Sequence, residues 1–251
     1  MSQSHATLDG RWALITGAGK RVGACIARTL HAAGANVAVH YRGSREPALA
    51  VVNDLNGARA DSAIAIGGDL TDTAGLPALV DEVMARASRL DILVNNASSF
   101  YPTPLGEITE SQWDDLIGTN LKAPLFLSQA CAEHLRATGG TIVNVVDIHA
   151  QRPLRDHTVY GPAKAGLAML TRTLARDLAP DIRVNGVSPG AILWPEDPPP
   201  ERTREMILKQ VPLRRAGEPA DIAGCILYLV RDAGYVTGQI IAVDGGRSIG
   251  W

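Results

Sequence analysis

The stretch "WALITGAGKRVGACIARTL", Trp12–Leu30, passes from a short apolar run into a turn with glycines at 17, 19 and 23, and from there directly into a helical pattern. The apolar run has the length of a buried strand, and a strand joined to a helix by glycines opens a β-α-β unit. Gly17, Gly19 and Gly23 let backbone N–H groups approach an anion, and the helix N-terminus adds partial positive charge. The turn "TGAGKRVG", which includes Lys20, Arg21 and Val22, therefore suits a pyrophosphate.

Further β-branched runs follow at 36–41, 62–69, 91–97, 141–147, 182–188 and 239–246. Helical patterns lie near 21–33, 45–58, 74–88, 110–137, 158–179 and 218–231, with Gly34 placed where a helix would stop. Strands that are nearly continuous apolar segments and alternate with helices indicate an α/β fold, a parallel sheet covered on both faces. No composition break marks a linker, so residues 1–251 read as a single domain. One segment, 191–219, departs from the rhythm. Its Pro198-Pro199-Pro200 run excludes a helix or a central strand there, and the segment is expected to be a loop over a substrate pocket.

Lysine and arginine total 24 against 26 acidic residues, for a formal charge of -2, and the basic runs are short. That balance argues against nucleic acid and anionic membrane as main partners. The opening twelve residues show no signal-peptide pattern, which by default predicts a cytoplasmic protein. Cys25, Cys131 and Cys225 are dispersed on helical segments and read as small buried side chains.

The second strand ends in "HYRGS", His40–Ser44, spanning Tyr41 and Arg42. An acid that would bind a ribose 2′-hydroxyl is missing there, and Arg42 in its place suits the 2′-phosphate of NADPH. Asp69 and Leu70 of "GGDL" and Asn95 and Ala97 of "NNA" stand at the carboxyl ends of the third and fourth strands, where such sheets bind ligands. Asp69 is expected to face the adenine amino group and Asn95 the adenine ribose.

"DIHAQRPLRDHTVYGPAK", Asp147–Lys164, puts Tyr160 and Lys164 four residues apart. On a helix they share a face, and an ammonium beside a phenol is expected to lower the phenol's pKa from about 10 toward the range useful for proton transfer. Together they read as a general acid for reducing a carbonyl or imine.

These residues resemble the short-chain dehydrogenase/reductase family across nearly the whole chain. The resemblance rests on "TGAGKRVG", "NNAS", Asn120 in "IGTNLKAPLF", "YGPAK", "RVNGVSPG" with Pro189 and Gly190, and "AVDGG", in that order. It implies a Rossmann-like, doubly wound sheet of seven strands, an NAD(P) cofactor, and a catalytic set in which Asn120, Tyr160 and Lys164 carry over. Asn120 would position Lys164 through water.

Two positions depart from the family pattern. Asp147 stands where the family has serine, and Arg21 where it usually has glycine. Together with "NNASSFYPTPL", these departures resemble the pteridine reductase branch. That branch implies a dihydropterin substrate, and dihydrofolate besides, bound by Arg21, Ser98, Phe100, Asp147, Tyr160 and Trp194, with Leu193 near them. The pterin would stack between Phe100 and the nicotinamide. The family's tetramers imply a homotetramer, with Trp251 bordering a neighbour's site. The rival readings are a carbonyl or 3-oxoacyl reductase, which Asp147 argues against, and a non-catalytic NADP-binding regulator, which the intact Tyr160-Lys164 pair argues against.

Overall fold

The computed structural model describes residues 7–192 and 200–249, so Leu193, Trp194 and Trp251 lie outside the described residues. Seven parallel strands run in the order β3-β2-β1-β4-β5-β6-β7. They are β1 (Trp12–Ile15), β2 (Asn36–Tyr41), β3 (Ala63–Gly67), β4 (Ile92–Asn95), β5 (Thr141–Val145), β6 (Arg183–Pro189) and β7 (Ile240–Val243). The helices are α1 (Arg21–Ala32), α2 (Arg45–Ala58), α3 (Leu76–Ala87), α4 (Glu110–Ile117), α5 (Ala123–Thr138), α6 (Tyr160–Asp177), α7 (Glu201–Lys209) and α8 (Pro219–Arg231). The expected Rossmann-like, doubly wound single domain is the one observed.

Alternation along each strand divides the core into two layers. Ala13 and Ile15 of β1 pack with Ile26 and Leu30 of α1, Val51 and Leu55 of α2, and Ile222 and Ile226 of α8. Trp12 and Leu14 face the other way, onto Val80 and Val83 of α3 and Leu127 and Leu135 of α5. Strand order reverses between β1 and β4, and the crevice that such a reversal opens beyond the carboxyl ends of the strands is where this fold takes ligands.

Two elements differ from the sequence reading. Residues 110–137 are not one helix: a π-helical turn, Gly118–Lys122, separates α4 from α5. The segment 191–219 contains α7, which begins directly after Pro200, because proline obstructs a helix interior but not the position preceding one.

The sheet is pinned to its helices by buried polar groups. The Asn95 amide donates to Asn144 at 2.8 Å and to Ser128 at 3.3 Å, and Asn144 donates to Thr171 at 2.9 Å, so this chain joins α5, β4, β5 and α6. At the far edge the Arg183 guanidinium donates to the carbonyls of Leu229, Val230, Ala233 and Val236 at 2.8–3.4 Å, closing the C-terminal end of α8. Arg183→Met is expected to cost about 2–4 kcal/mol, because it removes charge-assisted bonds and leaves carbonyls without donors. Urea denaturation measures this, and a loss below about 0.5 kcal/mol would show that water replaces the guanidinium freely.

Candidate active site

A cleft of about 570 Å³ opens over the carboxyl ends of β1, β2 and β4. It is lined by Gly17, Lys20, Arg21, Val22 and Gly23 of the glycine turn, His40 and Tyr41 at the end of β2 with Arg42 and Ser44 beyond it, Asp69 and Leu70 beyond β3, and Ala97 and Ser98 beyond β4. The turn is held close to β4. The Thr16 hydroxyl accepts from the N–H groups of Asn96 and Ala97, both at 2.9 Å, and the Asn96 amide donates to the Thr16 carbonyl at 2.8 Å. A Cβ on Gly23 would lie 2.3 Å from the Gly17 carbonyl oxygen, so only glycine permits this approach.

His40 is a buried strut under the turn. Its Nδ1 accepts from Gly17 N at 3.3 Å and its Nε2 donates to the Gly68 carbonyl at 3.1 Å. Burial lowers its pKa to about 4, so the ring is neutral. Arg21 has φ +52°, the left-handed conformation natural to glycine. This is the physical content of an arginine in a glycine position: the backbone keeps the turn and bears the strain. A cation here also opposes the α1 dipole, which an anion in the cleft would offset.

Arg42 reaches toward Asp69 at 4.0 Å and Asp115 at 3.9 Å and remains half exposed. Asp69 in turn accepts from the Thr71 backbone and hydroxyl, and these bonds, with Arg42 nearby, hold its carboxyl below the usual range. Asn95, Gly19, Pro189 and Gly190, all expected at the cofactor, lie off the cleft lining. Asn95 is buried in the polar chain described above, because its side chain shares a face with Asn144 across the β4–β5 ladder, and Asn96 lines the cleft in its stead. Gly19 is buried against Ala48 in the first turn of α2. Pro189 and Gly190 sit at the end of β6, with Gly190 closed against Asp244 just after β7.

The cleft leads through Ser98 to a second cluster. The Ser98 hydroxyl donates to the Asn120 side-chain oxygen at 2.6 Å, and the Asn120 amide donates to the carbonyls of Ser99 and Leu116, both at 2.9 Å. Asn120 sits within the π turn, and its amide reaches back to the Leu116 carbonyl in the last turn of α4. Asn120 thus binds the segment after β4 directly.

Tyr160 opens α6 and Lys164 follows one turn later, both almost wholly buried. The Tyr160 hydroxyl donates to Asp147 Oδ2 at 2.7 Å, while Oδ1 accepts from His149 N at 2.8 Å. One oxygen of Asp147 therefore caps the 3₁₀ turn Ile148–Ala150, and that bond orients the other toward the phenol. Lys164 Nζ donates to the Val145 carbonyl at 2.9 Å and lies 5.7 Å from the Tyr160 ring centre.

The electrostatics differ from the sequence expectation. The Tyr160 pKa is raised well above 10, chiefly by burial, then by the charge of Asp147 and the bond to it, with Ser98 pulling the other way. Burial brings Lys164 down to about 8, with Asp147 opposing the shift. The carboxylate, rather than the ammonium, dominates the phenol because it is in direct contact. Tyr160 is accordingly held as a neutral phenol.

Phe100 is 53% exposed and stands over this cluster, with its ring edge-on to Tyr160 at 4.8 Å and stacked on His157 at 4.7 Å. His157 was not singled out as a site residue. Thr71, Asn96, Ser99 and Thr119 line the cleft and were also missed, although each neighbours a residue or motif that the sequence reading named.

A family model described as enoyl-(acyl carrier protein) reductase matches residues 17–248. The chain belongs to the short-chain dehydrogenase/reductase family. It is 40% identical to pteridine reductase 1 of Leishmania tarentolae, over 94% of this chain and 96% of that protein. It is 39% identical to the 3-oxoacyl-[acyl-carrier-protein] reductase FabG of Staphylococcus aureus, over 93% of this chain and 96% of that one. An oxidoreductase of Methylorubrum extorquens is 36% identical over 95% of the chain. Oxidoreductase activity with a nicotinamide cofactor follows from this membership. No helix among the described residues is long and apolar enough to cross a membrane.

Proposed function

We propose that the protein reduces a dihydropterin, and dihydrofolate besides, to the tetrahydro form at the expense of NADPH. The observation that carries this reading is the 2.7 Å bond between Tyr160 and Asp147. A ketone needs only a hydroxyl-type donor, whereas a ring imine gains a proton on nitrogen, and a carboxylate in contact with the donor supplies a path by which that proton is replaced.

The cleft fits the cofactor on its own chemistry. The glycine turn presents backbone N–H groups and a helix N-terminus, and Lys20, Arg21 and Arg42 supply cations where a 2′-phosphate and a pyrophosphate would lie. When bound, NADPH supplies the hydride to the ring carbon of the C=N bond.

The chain's own residues manage the proton. With Asp147 ionised, the phenol points at the carboxylate. When Asp147 takes a proton from solvent, the bond reverses: the acid donates to the phenol oxygen, and the phenol O–H is released toward the substrate. Tyr160 then passes its proton to the ring nitrogen, which receives the C=N π pair, and regains one from Asp147. A separate phenolate beside a carboxylate is disfavoured by burial and by like charge, so the two transfers are coupled. Lys164 supplies positive charge to this site below its pKa of about 8, and activity falls as pH rises through that value. Phe100 offers an exposed aromatic edge of the site for stacking a flat heterocycle.

The similarity to FabG favours a second reading, reduction of a 3-oxoacyl thioester on the same residues. NADPH oxidation measured with a dihydropterin beside 3-oxoacyl thioesters and small ketones separates the two. Turnover of the pterin but not of the thioester is expected, and the reverse would overturn the assignment. In the same assay Arg42→Ala is expected to reduce the preference for NADPH over NADH by about 10- to 100-fold, the worth of one charge-assisted phosphate contact. A cytoplasmic homotetramer completes the reading, supported by the apolar Leu125 and Met169 exposed on α5 and α6.

A further inference from the structure

Arg42 leaves the end of β2 flanked by two carboxylates that the fold has fixed in place. Asp69, beyond β3, stands 4.0 Å from the guanidinium and accepts from the backbone N–H and the hydroxyl of Thr71. Asp115, in the last turn of α4, stands 3.9 Å from the same Nη1 nitrogen, and its other oxygen accepts from the Tyr101 hydroxyl at 3.0 Å. Tyr101 is itself packed against the buried cluster of Leu116, Val159 and Tyr160, so Asp115 is oriented from behind. Both separations to Arg42 exceed hydrogen-bond length, so neither carboxylate takes up a guanidinium N–H. Arg42 keeps its donors for a ligand but shares its charge with two neighbours.

Of the two acids, Asp69 lines the nucleotide cleft. Asp115 lines a neighbouring hollow of about 670 Å³ that meets the cleft at Thr71. Asp115 therefore reaches the cleft through its field.

We propose that Asp115 is a specificity-determining residue of the cofactor site, whose negative charge opposes a 2′-phosphate at Arg42 and so limits the preference for NADPH over NADH. This deepens the reading of Arg42 as the 2′-phosphate ligand, and rests on it.

Two effects of Asp115 compete. Its attraction holds the guanidinium in place, which favours phosphate, and the same charge repels the phosphate that Arg42 binds. The holding effect is the smaller, because a half-exposed ion pair without a hydrogen bond contributes little and Asp69 holds Arg42 from another side. The repulsion is the larger, because a phosphate monoester carries about 1.5 to 2 negative charges near neutral pH, and whatever Arg42 binds is drawn toward Asp115. A nucleotide with a free 2′-hydroxyl presents no charge there, so the effect is confined to the 2′-phosphate. In the sequence Asp115 is one of two adjacent aspartates far from Arg42, and folding supplies the approach.

The test is calorimetric titration of the full chain, free of nucleotide, with adenosine 2′,5′-bisphosphate and with adenosine 5′-monophosphate. It compares the parent with Asp115→Asn, Asp115→Ala and Arg42→Ala. Asparagine keeps the shape of Asp115 and an acceptor for Tyr101 while removing the charge. Both Asp115 variants should bind the bisphosphate about 3- to 10-fold more tightly than the parent, with monophosphate binding unchanged. The gain should shrink as ionic strength rises from 0.01 to 1 M and the screening length falls from about 30 to about 3 Å. Structural damage does not tighten binding of one nucleotide alone, and the second variant decides should the first fold poorly. Unchanged or weaker bisphosphate binding overturns the inference, weaker binding meaning that Asp115 serves to hold Arg42. A gain shared equally by the monophosphate, or one indifferent to salt, overturns it as well. Arg42→Ala tests the underlying reading separately. It should weaken bisphosphate binding by about 10- to 100-fold, and if it does not, the 2′-phosphate lies elsewhere and both statements fall.

Discussion

Tyr160→Phe is expected to lower kcat for dihydropterin reduction by about 10²- to 10⁴-fold, the range spanned by removal of a general acid, with little change in NADPH binding. Phenylalanine keeps the packing against Leu116 and Val159, so the substitution removes the proton donor without opening a cavity. It also deprives Asp147 Oδ2 of its donor, which is expected to cost roughly 1–3 kcal/mol of stability, and thermal unfolding measured beside activity separates the two effects. Retention of more than a tenth of the parent rate would mean that Asp147 protonates substrate through water, with Tyr160 serving only to shape the pocket.

Asp147→Ser should separate the two substrate readings most sharply. Serine caps the following turn as aspartate does, so the local fold should persist. What disappears is the group that reloads the phenol and raises its pKa. Pterin turnover is expected to fall about 10²- to 10³-fold, and the pH profile should lose its dependence on the carboxylate. Reduction of small ketones or 3-oxoacyl thioesters should hold or improve, because a phenol free of an adjacent negative charge is the better acid for a carbonyl oxygen. Equal losses on both substrate classes would show that Asp147 acts by holding the loop, and the pterin assignment would lose its main support.

Both predictions depend on residues whose type was visible in the chain but whose relations were not. The Tyr160-Lys164 spacing suggests an ammonium acting on a phenol. In the folded protein Lys164 is turned to the Val145 carbonyl, and the phenol is turned to Asp147, thirteen positions back in the chain. Asn95 and Asn96 show the same limit from the other side. Adjacent asparagines at a strand end look interchangeable, and only the pairing of β4 with β5 sends one into the core and the other to the cleft.

What the amino-acid sequence determined by itself was the class of fold and the place of the glycine turn at the switch in strand order. These follow from local causes: the period of apolar residues and the glycines that only a tight turn needs. The tertiary structure decided the direction of the Tyr160 pKa and the attachment of Asn120 to the segment after β4. Each of these depends on distance and burial between segments far apart in the chain. Electrostatic effects follow separation in space, which residue spacing along the chain does not record.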